Sequence, residues 1–412
     1  MNLDAYDCLG DLTKETMDYF KSLQIVRVDE FIPYYHASLG CHILNLYNRN
    51  KNTIYVRTGM IPDLRLNLFF VGPPGFSKSF FCNIHFDPRF GAASKFPNKE
   101  VAYLTLPALV GTVSGKDQQG NPIIETGAAE LYKEHIIWCE EFTSISEVMK
   151  VEHSAGMAGM LLMLTDNGKV LRGMRYGEIE YQSYATLMLG TQTERLDLAS
   201  GLARRFLFLD LNPTSKDIVD YNRAWEAGEG ISPNFKALTR LNEGYLMMAA
   251  GPPNLKHIRL TNDYLRFRSN LPCIHIDKEI LNRLAIGWNF MNRFHWNDSE
   301  LVVEAPSELR ALVLRALEMK YRILGELNFL AIEKLMEGGE WYGLTDIKWS
   351  MVKQLGIPYS DASKRIAQML DIGLLAERPR KRTGPGRPGR EVQLARRATD
   401  EEEEEVDTDG SI

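Results

Sequence analysis

Cysteine, histidine and long apolar runs are scarce in this chain of 412 residues. Its five cysteines stand far apart and form no Cys-x-x-Cys pair, which argues against a disulfide framework and against a structural zinc site. No apolar run reaches the length of a membrane span, and the first residues lack the basic and then apolar pattern of a signal peptide. We therefore expect a soluble, cytoplasmic protein that has no membrane partner.

An excess of acidic charge is found only near the C-terminus. Eight acidic residues lie within 400–409, and without them the formal net charge of −6 becomes +2. With 44% hydrophobic and 25% charged residues, the chain has the composition of a globular protein of two or three domains. We predict a mildly basic folded body and a disordered acidic tail over 397–412.

From about residue 66, short apolar runs alternate with helical patterns. This alternation predicts an α/β fold with a mostly parallel sheet and helices on both of its faces. The predicted strands cover 67–71, 136–139, 186–189 and 206–211. The predicted regions are a small helical N-terminal region at 1–65, an α/β core at 66–212, a helical lid at 213–338 with a long amphipathic helix at 305–338, and a separate domain at 339–396.

The segment after the first predicted strand has the pattern of a phosphate-binding loop. Glycines at its turns let the backbone curl until several N–H groups face one phosphate. Lys78 would then meet the β- and γ-phosphates, while the Ser79 hydroxyl would ligate Mg²⁺. The pattern predicts ATP and Mg²⁺ as ligands, although Ser77 stands where glycine is usual. The predicted loop consists of Gly72, Pro73, Pro74, Gly75, Phe76, Ser77, Lys78 and Ser79.

Two glutamates follow the predicted strand 136–139. Glu140 would hold Mg²⁺, and Glu141 would polarise the water that attacks the γ-phosphate. Phosphoryl transfer asks the protein mainly for positioning and charge compensation, so such a pair beside the loop has a clear role. The alternative is a solvated pair of carboxylates at a strand end.

Polar and basic residues follow the next predicted strand. Thr191 or Gln192 would orient the attacking water, and Gln192 is the stronger candidate. Arg204 and Arg205 then precede the strand at 206–211, where one of them could reach the ATP of a neighbouring subunit as an arginine finger. We favour Arg205 for this role, and a structural ion pair is the alternative.

The region 339–396 has a different pattern of caps and breaks. Thr345 is predicted to cap a helix that ends at Leu355, and Ser360 is predicted to cap a helix that ends at Asp371. Two short helices of this kind, joined by a break, are typical of a helix-turn-helix.

Two short predicted strands, 374–377 and 391–394, follow these helices and flank a basic tip rich in Gly and Pro. This order predicts a winged-helix DNA-binding domain with 362–370 as its recognition helix. A flexible basic linker is the alternative, and both versions would bind phosphate backbones. The candidate DNA-binding residues of the tip are Arg380, Lys381, Arg382 and Arg387.

Taken in order, these motifs resemble the AAA+ ATPases and, among them, the minichromosome maintenance (MCM) replicative helicases. The loop ending Ser77-Lys78-Ser79, the run Glu140-Glu141-Phe142 and the pair Arg205-Phe206 are similar to that family's motifs. Segments 109–129 and 161–170 resemble its helix-2 insertion and the lead into its pre-sensor-1 hairpin.

The resemblance covers roughly residues 66–212 and implies a ring, hexameric in that family, that hydrolyses ATP between subunits. It also implies that two hairpins project into the ring channel and contact DNA. By position, Lys116 would lie at the first tip, and Lys169, Arg172 and Arg175 would lie along or at the second. A charged solvent-facing ribbon is the alternative for the second hairpin.

The departures from the family concern the N-terminal domain and the second sensor. The family's large N-terminal domain and its zinc site are missing, which would suit a compact replication protein of a virus or plasmid, and so a prokaryotic or viral host. Ser307 stands where the second-sensor arginine is expected, and Arg310 is a possible substitute.

The sequence thus predicts an enzyme, an ATP-dependent DNA helicase or translocase that acts in replication. Two other functions remain open. One is an AAA+ replication initiator or remodelling ATPase that binds DNA through its winged helix without unwinding it. The other is a DNA-binding regulator that does not hydrolyse ATP.

Overall fold

The structure is a computed structural model of the chain, and it forms an α/β fold. It describes residues 9–51, 55–56, 63–73, 84–101, 103–104, 106–142, 155–174, 177–191, 205–227, 232–271, 275–324, 336, 341–355, 358–371, 375–379 and 390–394. These residues form two compact units, of which the first runs to 268 and includes 275–316, and the second comprises 269–271 and the residues from 317 onward. Over the described ranges, no helix combines the length and hydropathy that a membrane crossing requires.

A five-stranded, all-parallel sheet forms the centre of the first unit. Its strands, in spatial order, are β12 (Phe206–Asp210), β2 (Asn67–Val71), β11 (Thr186–Thr191), β7 (Ile136–Cys139) and β3 (Asn98–Glu100). The parallel sheet and its four predicted strands are confirmed, with ends within two residues of prediction. The fifth strand of the sheet, β3, was not predicted because its short polar sequence has no apolar run.

The four predicted strands are buried along their whole length. Continuous apolar runs of this kind form strands that are covered on both faces. Phe69 on β2 lies among Phe142, Phe206 and Phe208, with ring centroids 5.2 to 6.2 Å apart. These aromatic contacts fix the central strands against each other and so fix the edge at which they end.

Two N-terminal helices, α1 (Leu9–Ser22) and α2 (Val28–Lys51), belong to the first unit. The α2 helix packs on β2 and on α9 (His275–Arg293), and α1 packs on both helices. A Cβ on Gly287 would lie 2.0 Å from the Ala37 carbonyl oxygen, so glycine lets α2 and α9 approach closely. Helix α9 therefore supports the sheet through α2.

Two antiparallel hairpins lie between the sheet strands in sequence. The first pairs β5 (Thr112–Lys116) with β6 (Pro122–Glu125), and the second pairs β9 (Lys169–Met174) with β10 (Gly177–Gln182). The hairpins touch, because a Cβ on Gly177 would lie 2.6 Å from the Pro122 side chain. The connecting elements are β4 (Tyr103–Leu104), α3 (Leu106–Val110), α4 (Ala128–Leu131), β8 (Glu141–Phe142) and α5 (Ala155–Asp166).

The rest of the first unit is helical, with a second, smaller parallel sheet. The helices are α6 (Ser215–Ala227), α7 (Phe235–Met248), α8 (Asn262–Ser269) and α10 (Ser307–Leu324), of which residues 307–316 belong to this unit. The small sheet has the order β1 (Tyr55–Val56), β13 (His257–Leu260) and β14 (Glu300–Val303). Sequence patterns did not predict this sheet because its strands are far apart in the chain. The predicted helix 305–338 is described only as far as Leu324.

The second unit contains two helices and a three-stranded antiparallel sheet. In chain order they are β15 (Tyr342–Gly343), α11 (Leu344–Leu355), α12 (Tyr359–Asp371), β16 (Leu375–Pro379) and β17 (Arg390–Leu394). The predicted order of helix, helix and hairpin is confirmed. Each helix begins one residue earlier than its predicted cap, so Thr345 and Ser360 lie inside the first turns. Ile347, Met351, Ala362, Ile366, Leu375 and Val392 form its core, together with Met336 and Met369.

Candidate functional site

The carboxyl ends of adjacent strands bring three predicted motifs to one edge of the five-stranded sheet. Gly72 follows β2, and its backbone N–H donates to the Thr191 carbonyl at the end of β11 over 3.2 Å. The Thr191 hydroxyl donates to the Phe142 carbonyl over 3.4 Å. Because β11 also pairs with β7, the backbone of Glu140 and Glu141 follows at the same edge. Parallel α/β sheets bind ligands outside this edge.

Gly72 is held tightly where the chain leaves the sheet. A Cβ at this position would lie 2.9 Å from the Cβ of Leu211, closer than side chains normally approach. Leu211 is fixed in turn, since its N–H donates to the Val71 carbonyl over 2.7 Å. The glycine therefore has a packing role at the first residue of the predicted loop, in addition to the turn role expected from sequence.

Only part of the predicted nucleotide site is described. Pro73 follows Gly72, Glu140 is half-buried, and Glu141 is described as backbone in β8. Thr191, the alternative to Gln192, is buried and uses its hydroxyl on the Phe142 carbonyl. The predicted residues outside the described ranges are Pro74, Gly75, Phe76, Ser77, Lys78, Ser79 and Gln192.

The donor chemistry of this edge fits Mg²⁺ bound together with a phosphate ligand. Within the described ranges, no group of three or more His, Cys, Asp or Glu side chains is arranged to hold a metal. Mg²⁺ takes oxygen ligands, and with nucleotides it uses one or two carboxylates and completes its shell with water and phosphate. Of the predicted ligands, Glu140 is a carboxylate of this kind at the described edge, and the Ser79 hydroxyl would be the second, outside the described residues.

Arg205, the favoured arginine finger, has a partner inside its own chain. Its guanidinium forms an ion pair with Asp166 at the end of α5, and its side chain is 18% exposed. This contact is the structural ion pair that the sequence left open as the alternative. A role at a neighbouring subunit's ATP would require Arg205 to exchange Asp166 for phosphate.

The two hairpins carry the predicted DNA-contacting cations. Lys116 is exposed in the last pair before the first tip, opposite Pro122. Lys169 begins the second hairpin and lies 3.5 Å from Glu180 on the opposite strand. Arg172 is described as backbone in β9, and Arg175 lies outside the described residues.

The second hairpin is anchored at its base by a tyrosine. The Tyr181 hydroxyl donates to the Val110 carbonyl over 3.1 Å, and burial raises the pKa of this phenol above its usual range. The phenol therefore keeps its proton and remains a donor at neutral pH. The hairpin is therefore held against α3 at its base.

A charged network that the sequence did not indicate lies at the end of β12. Arg27 donates to the carbonyls of Leu211 and Asn212, each over 3.4 Å, and forms two hydrogen bonds with Glu30. Glu30 also pairs with Arg315 on α10. Burial lowers the pKa of Arg27, but Glu30, Asp217 and Tyr221 together outweigh this effect, so the net pKa is raised. Arg27 and Glu30 are three residues apart, but no local pattern could indicate their contacts with Leu211, Asn212 and Arg315, which are distant in sequence.

Arg310, the possible substitute for the second sensor, has other partners. Its guanidinium lies 2.8 and 2.9 Å from the two carboxylate oxygens of Asp263, and its Nε donates to the Ala305 carbonyl over 2.6 Å. It also lies 5.1 Å from the ring centroid of Phe267. On α10, it is Arg315, not Arg310, that joins the network at the end of β12.

Three buried histidines lie in the first unit, and no pattern in the sequence predicted that they would be buried. The rings of His36 and His85 stack with centroids 5.2 Å apart, and the Tyr245 hydroxyl lies 2.7 Å from Nε2 of His36. His42 lies 2.9 Å from the Thr186 hydroxyl. Burial lowers the pKa of His36 and His42 to about 3 and that of His85 well below its usual value. All three rings are therefore neutral at pH 7.

The predicted basic tip of the second unit is described only at its base. Arg378 and Arg390 pair across the hairpin with Glu391 and Glu377, over 3.1 and 3.2 Å. The predicted DNA-binding residues lie outside the described ranges: Arg380, Lys381, Arg382 and Arg387.

Sequence comparison with known proteins provides no relative from which a role could be transferred to this chain. No family model matches the chain, and no curated protein matches it. The assignment of a function therefore depends on the residues and on the geometry of the sheet edge.

Proposed function

We propose that this chain is an ATP-hydrolysing AAA+ enzyme of the MCM-like type, which acts on DNA as a ring, hexameric as in that family. One observation carries the proposal. The hydrogen bonds of Gly72 to Thr191 and of Thr191 to Phe142 bring Gly72, the first residue of the predicted phosphate loop, to the sheet edge that Glu140 and Glu141 follow. ATP hydrolysis requires these two motifs at one place, because the metal and the attacking water must both lie beside the γ-phosphate.

In this proposal each residue of the predicted site has a defined role. The loop 72–79 holds the phosphates, with Lys78 on the β- and γ-oxygens. Glu140 and Ser79 hold Mg²⁺, which supplies charge compensation when it is bound. Glu141 accepts a hydrogen bond from the attacking water, and Gln192 orients that water.

The first test compares ATP turnover of the wild type with that of two variants. We expect single-stranded DNA to stimulate turnover, and Lys78→Ala to abolish it. Glu141→Gln should lower turnover by about 10²- to 10⁴-fold, the usual contribution of a general base. The matched control is Glu226→Gln, an exposed glutamate on α6 outside the predicted site, which should turn over as the wild type does. Unchanged turnover in Glu141→Gln contradicts the catalytic assignment.

Strand displacement on a forked duplex tests the helicase part of the proposal. We expect displacement that depends on ATP and disappears in Lys78→Ala. Mixing Arg205→Ala subunits with wild type tests the finger in trans. If each subunit needs Arg205 of its neighbour, activity should fall more steeply than the fraction of wild-type subunits in the mixture. A loss in proportion to that fraction would contradict a finger in trans and favour a structural role for Arg205.

A second candidate is an initiator or remodelling ATPase that holds DNA through its winged helix and does not unwind it. The charge distribution favours it. The two hairpins, 112–125 and 169–182, carry four basic and four acidic residues, whereas 344–394 carries ten basic and five acidic residues. Phosphate backbones are attracted by net positive charge, so the segment 344–394 is the better candidate for DNA binding on this criterion. Turnover without strand displacement at any protein concentration supports this candidate.

A further inference from the structure

Two aromatic side chains lie together on the surface of the second unit. Trp349 on α11 is 58% exposed, and Tyr359 at the start of α12 is 37% exposed. Their ring centroids are 4.9 Å apart, with the planes inclined by 43°. This separation is typical of interacting aromatic pairs. The two helices therefore present one continuous aromatic surface to solvent.

The position of Trp349 is set by how α11 is packed. Ile347 and Met351 are almost fully buried in the core of the unit, and the residue midway between them must face away from that core. Trp349 and Lys353 are one helical turn apart and both are exposed. An exposed tryptophan is uncommon on the polar face of a helix, because burying its ring is strongly favourable.

Basic side chains accompany the aromatic pair. The Lys348 ammonium lies 6.0 Å from the ring centroid of Tyr359, and Lys353 is exposed on the same helix. The segment 344–394 as a whole has five more basic than acidic residues. A positively charged surface with exposed aromatic rings combines the two features that bind single-stranded nucleic acid, in which bases stack on rings and cations meet phosphates.

Trp341, another tryptophan of this unit, differs from Trp349 because a cation covers its ring. The guanidinium of Arg378 lies 4.1 Å from the ring centroid of Trp341, and Arg378 also pairs with Glu391. One face of Trp341 is thus covered by a side chain that is itself held by the hairpin. Trp349 instead lies against Tyr359 and retains more than half of its surface in solvent.

We propose that Trp349 and Tyr359 form a stacking site for unpaired bases of single-stranded DNA. The proposal rests on the proposed function for its choice of DNA and adds a preference for unpaired bases. Tyr359 begins α12, which contains the predicted recognition helix 362–370, and helix-turn-helix proteins contact bases from the N-terminal end of that helix. At a fork or a melted site, this pair captures a displaced base while the basic residues hold the backbone.

The test measures the affinity of the full chain for DNA labelled with a fluorophore, without nucleotide and at one fixed salt concentration. The probes are an oligothymidine and a duplex of equal length. Trp349→Ala should weaken binding of the oligothymidine about 5- to 100-fold, since each stacked base contributes this much. Binding of the duplex should change less than twofold. Trp349→Phe keeps a ring and should retain most of the affinity.

The matched control is Phe235→Ala, which removes an aromatic ring that is 66% exposed in the first unit. It should leave both affinities unchanged. Lys353→Ala should weaken the oligothymidine and the duplex by similar factors, because a phosphate contact does not depend on strand pairing. Photocrosslinking of an oligonucleotide that carries 5-iodouracil should place a crosslink at position 349 or 359.

Several outcomes overturn the inference. Equal oligothymidine affinity in wild type and Trp349→Ala, or a wild type that does not bind oligothymidine, contradicts stacking at this pair. A Trp349→Ala variant whose oligomeric state changes while its DNA affinity does not would identify the pair as a contact between copies. If Trp349→Ala weakens oligothymidine binding but the wild type hydrolyses no ATP, the stacking site stands and the proposed function fails.

Discussion

The edge of the five-stranded sheet and the two hairpins both carry predicted functional residues, but their physical support differs. The edge is formed by strands that are buried along their whole length and linked by backbone hydrogen bonds. The hairpins bury some of their side chains, such as Val170 and Ile179, but Lys169 and Glu180 are exposed and pair with each other. Substitutions should therefore act on the fold at the edge and on binding at the hairpins, and the four predictions that follow test this difference.

The largest effect is expected from Phe69→Ala in β2. Phe69 is 3% exposed and touches three other aromatic rings, so its removal leaves a cavity in the sheet. The free energy of unfolding should fall by about 3–5 kcal/mol. Chemical denaturation followed by circular dichroism measures it. The exposed Phe235→Ala control should change it by less than about 0.5 kcal/mol, and an equal loss in both variants would contradict a rigid buried frame.

Gly72→Ala should have the next largest effect. The added Cβ meets the Cβ of Leu211 at 2.9 Å, and neither group can rotate away. Overpacking of this kind costs about 1–3 kcal/mol. Gly115→Ala is the control on a hairpin, where a Cβ meets nothing within 4 Å. Thermal unfolding of both variants checks the difference, and equal midpoints would show that the edge tolerates movement.

The buried histidines predict a pH dependence of stability. Burial lowers the pKa of His36 and His42 to about 3, and it lowers that of His85 well below 6.5. The folded state therefore keeps these rings neutral, whereas the unfolded chain takes up protons as the pH falls below about 6.5. Their contribution is complete above that pH and is lost progressively below it, by about 1.4 kcal/mol per pH unit for each ring.

His85→Phe tests this pH dependence. His85 is surrounded by the aromatic rings of Phe20, Tyr35, His36 and Phe86, so phenylalanine suits its site. The denaturation midpoint at pH 7 should be kept or raised, and its decline between pH 6.5 and 5 should become shallower. A decline as steep as that of the wild type would show that other groups control the acid sensitivity.

The smallest effect on stability is expected at the Lys169–Glu180 pair of the second hairpin. Both side chains are about half exposed, and exposed pairs contribute about 0–1 kcal/mol. Glu180→Gln should leave the unfolding free energy nearly unchanged but strengthen binding of single-stranded DNA. Lys169→Ala should weaken that binding and reduce its salt dependence by about one phosphate contact. Unchanged DNA binding in both variants would identify the ribbon as a solvated surface.

The strands of the main sheet could be predicted because their signal is local. A fully buried strand needs a continuous apolar run, and the runs at 67–71 and 136–139 have the predicted bounds in the structure. The polar edge strand 98–100 and the small sheet were missed because their pairing partners, and not their own sequences, make them strands. Long-range pairing of this kind leaves no periodic pattern.

The functional residues divide in the same way. The sequence predicts the loop from Gly72 and the pair Glu140 and Glu141, because phosphate chemistry dictates residue types at short spacing. It left two alternatives for Arg205, and the structure shows the Asp166 partner that only folding can bring near. The exposed surface formed by Trp349 and Tyr359 was not predicted either, since no pattern relates two helices across a turn.

By itself, the sequence determined the α/β class, the four buried strands and the order of helices and hairpin near the C-terminus. Each depends on apolar runs, caps and breaks within a few residues. The tertiary structure alone decided which strands are neighbours, which charged groups are paired and which histidines are buried. These properties depend on residues far apart in the chain, because desolvation and ion pairing arise only when the packed core brings such residues together.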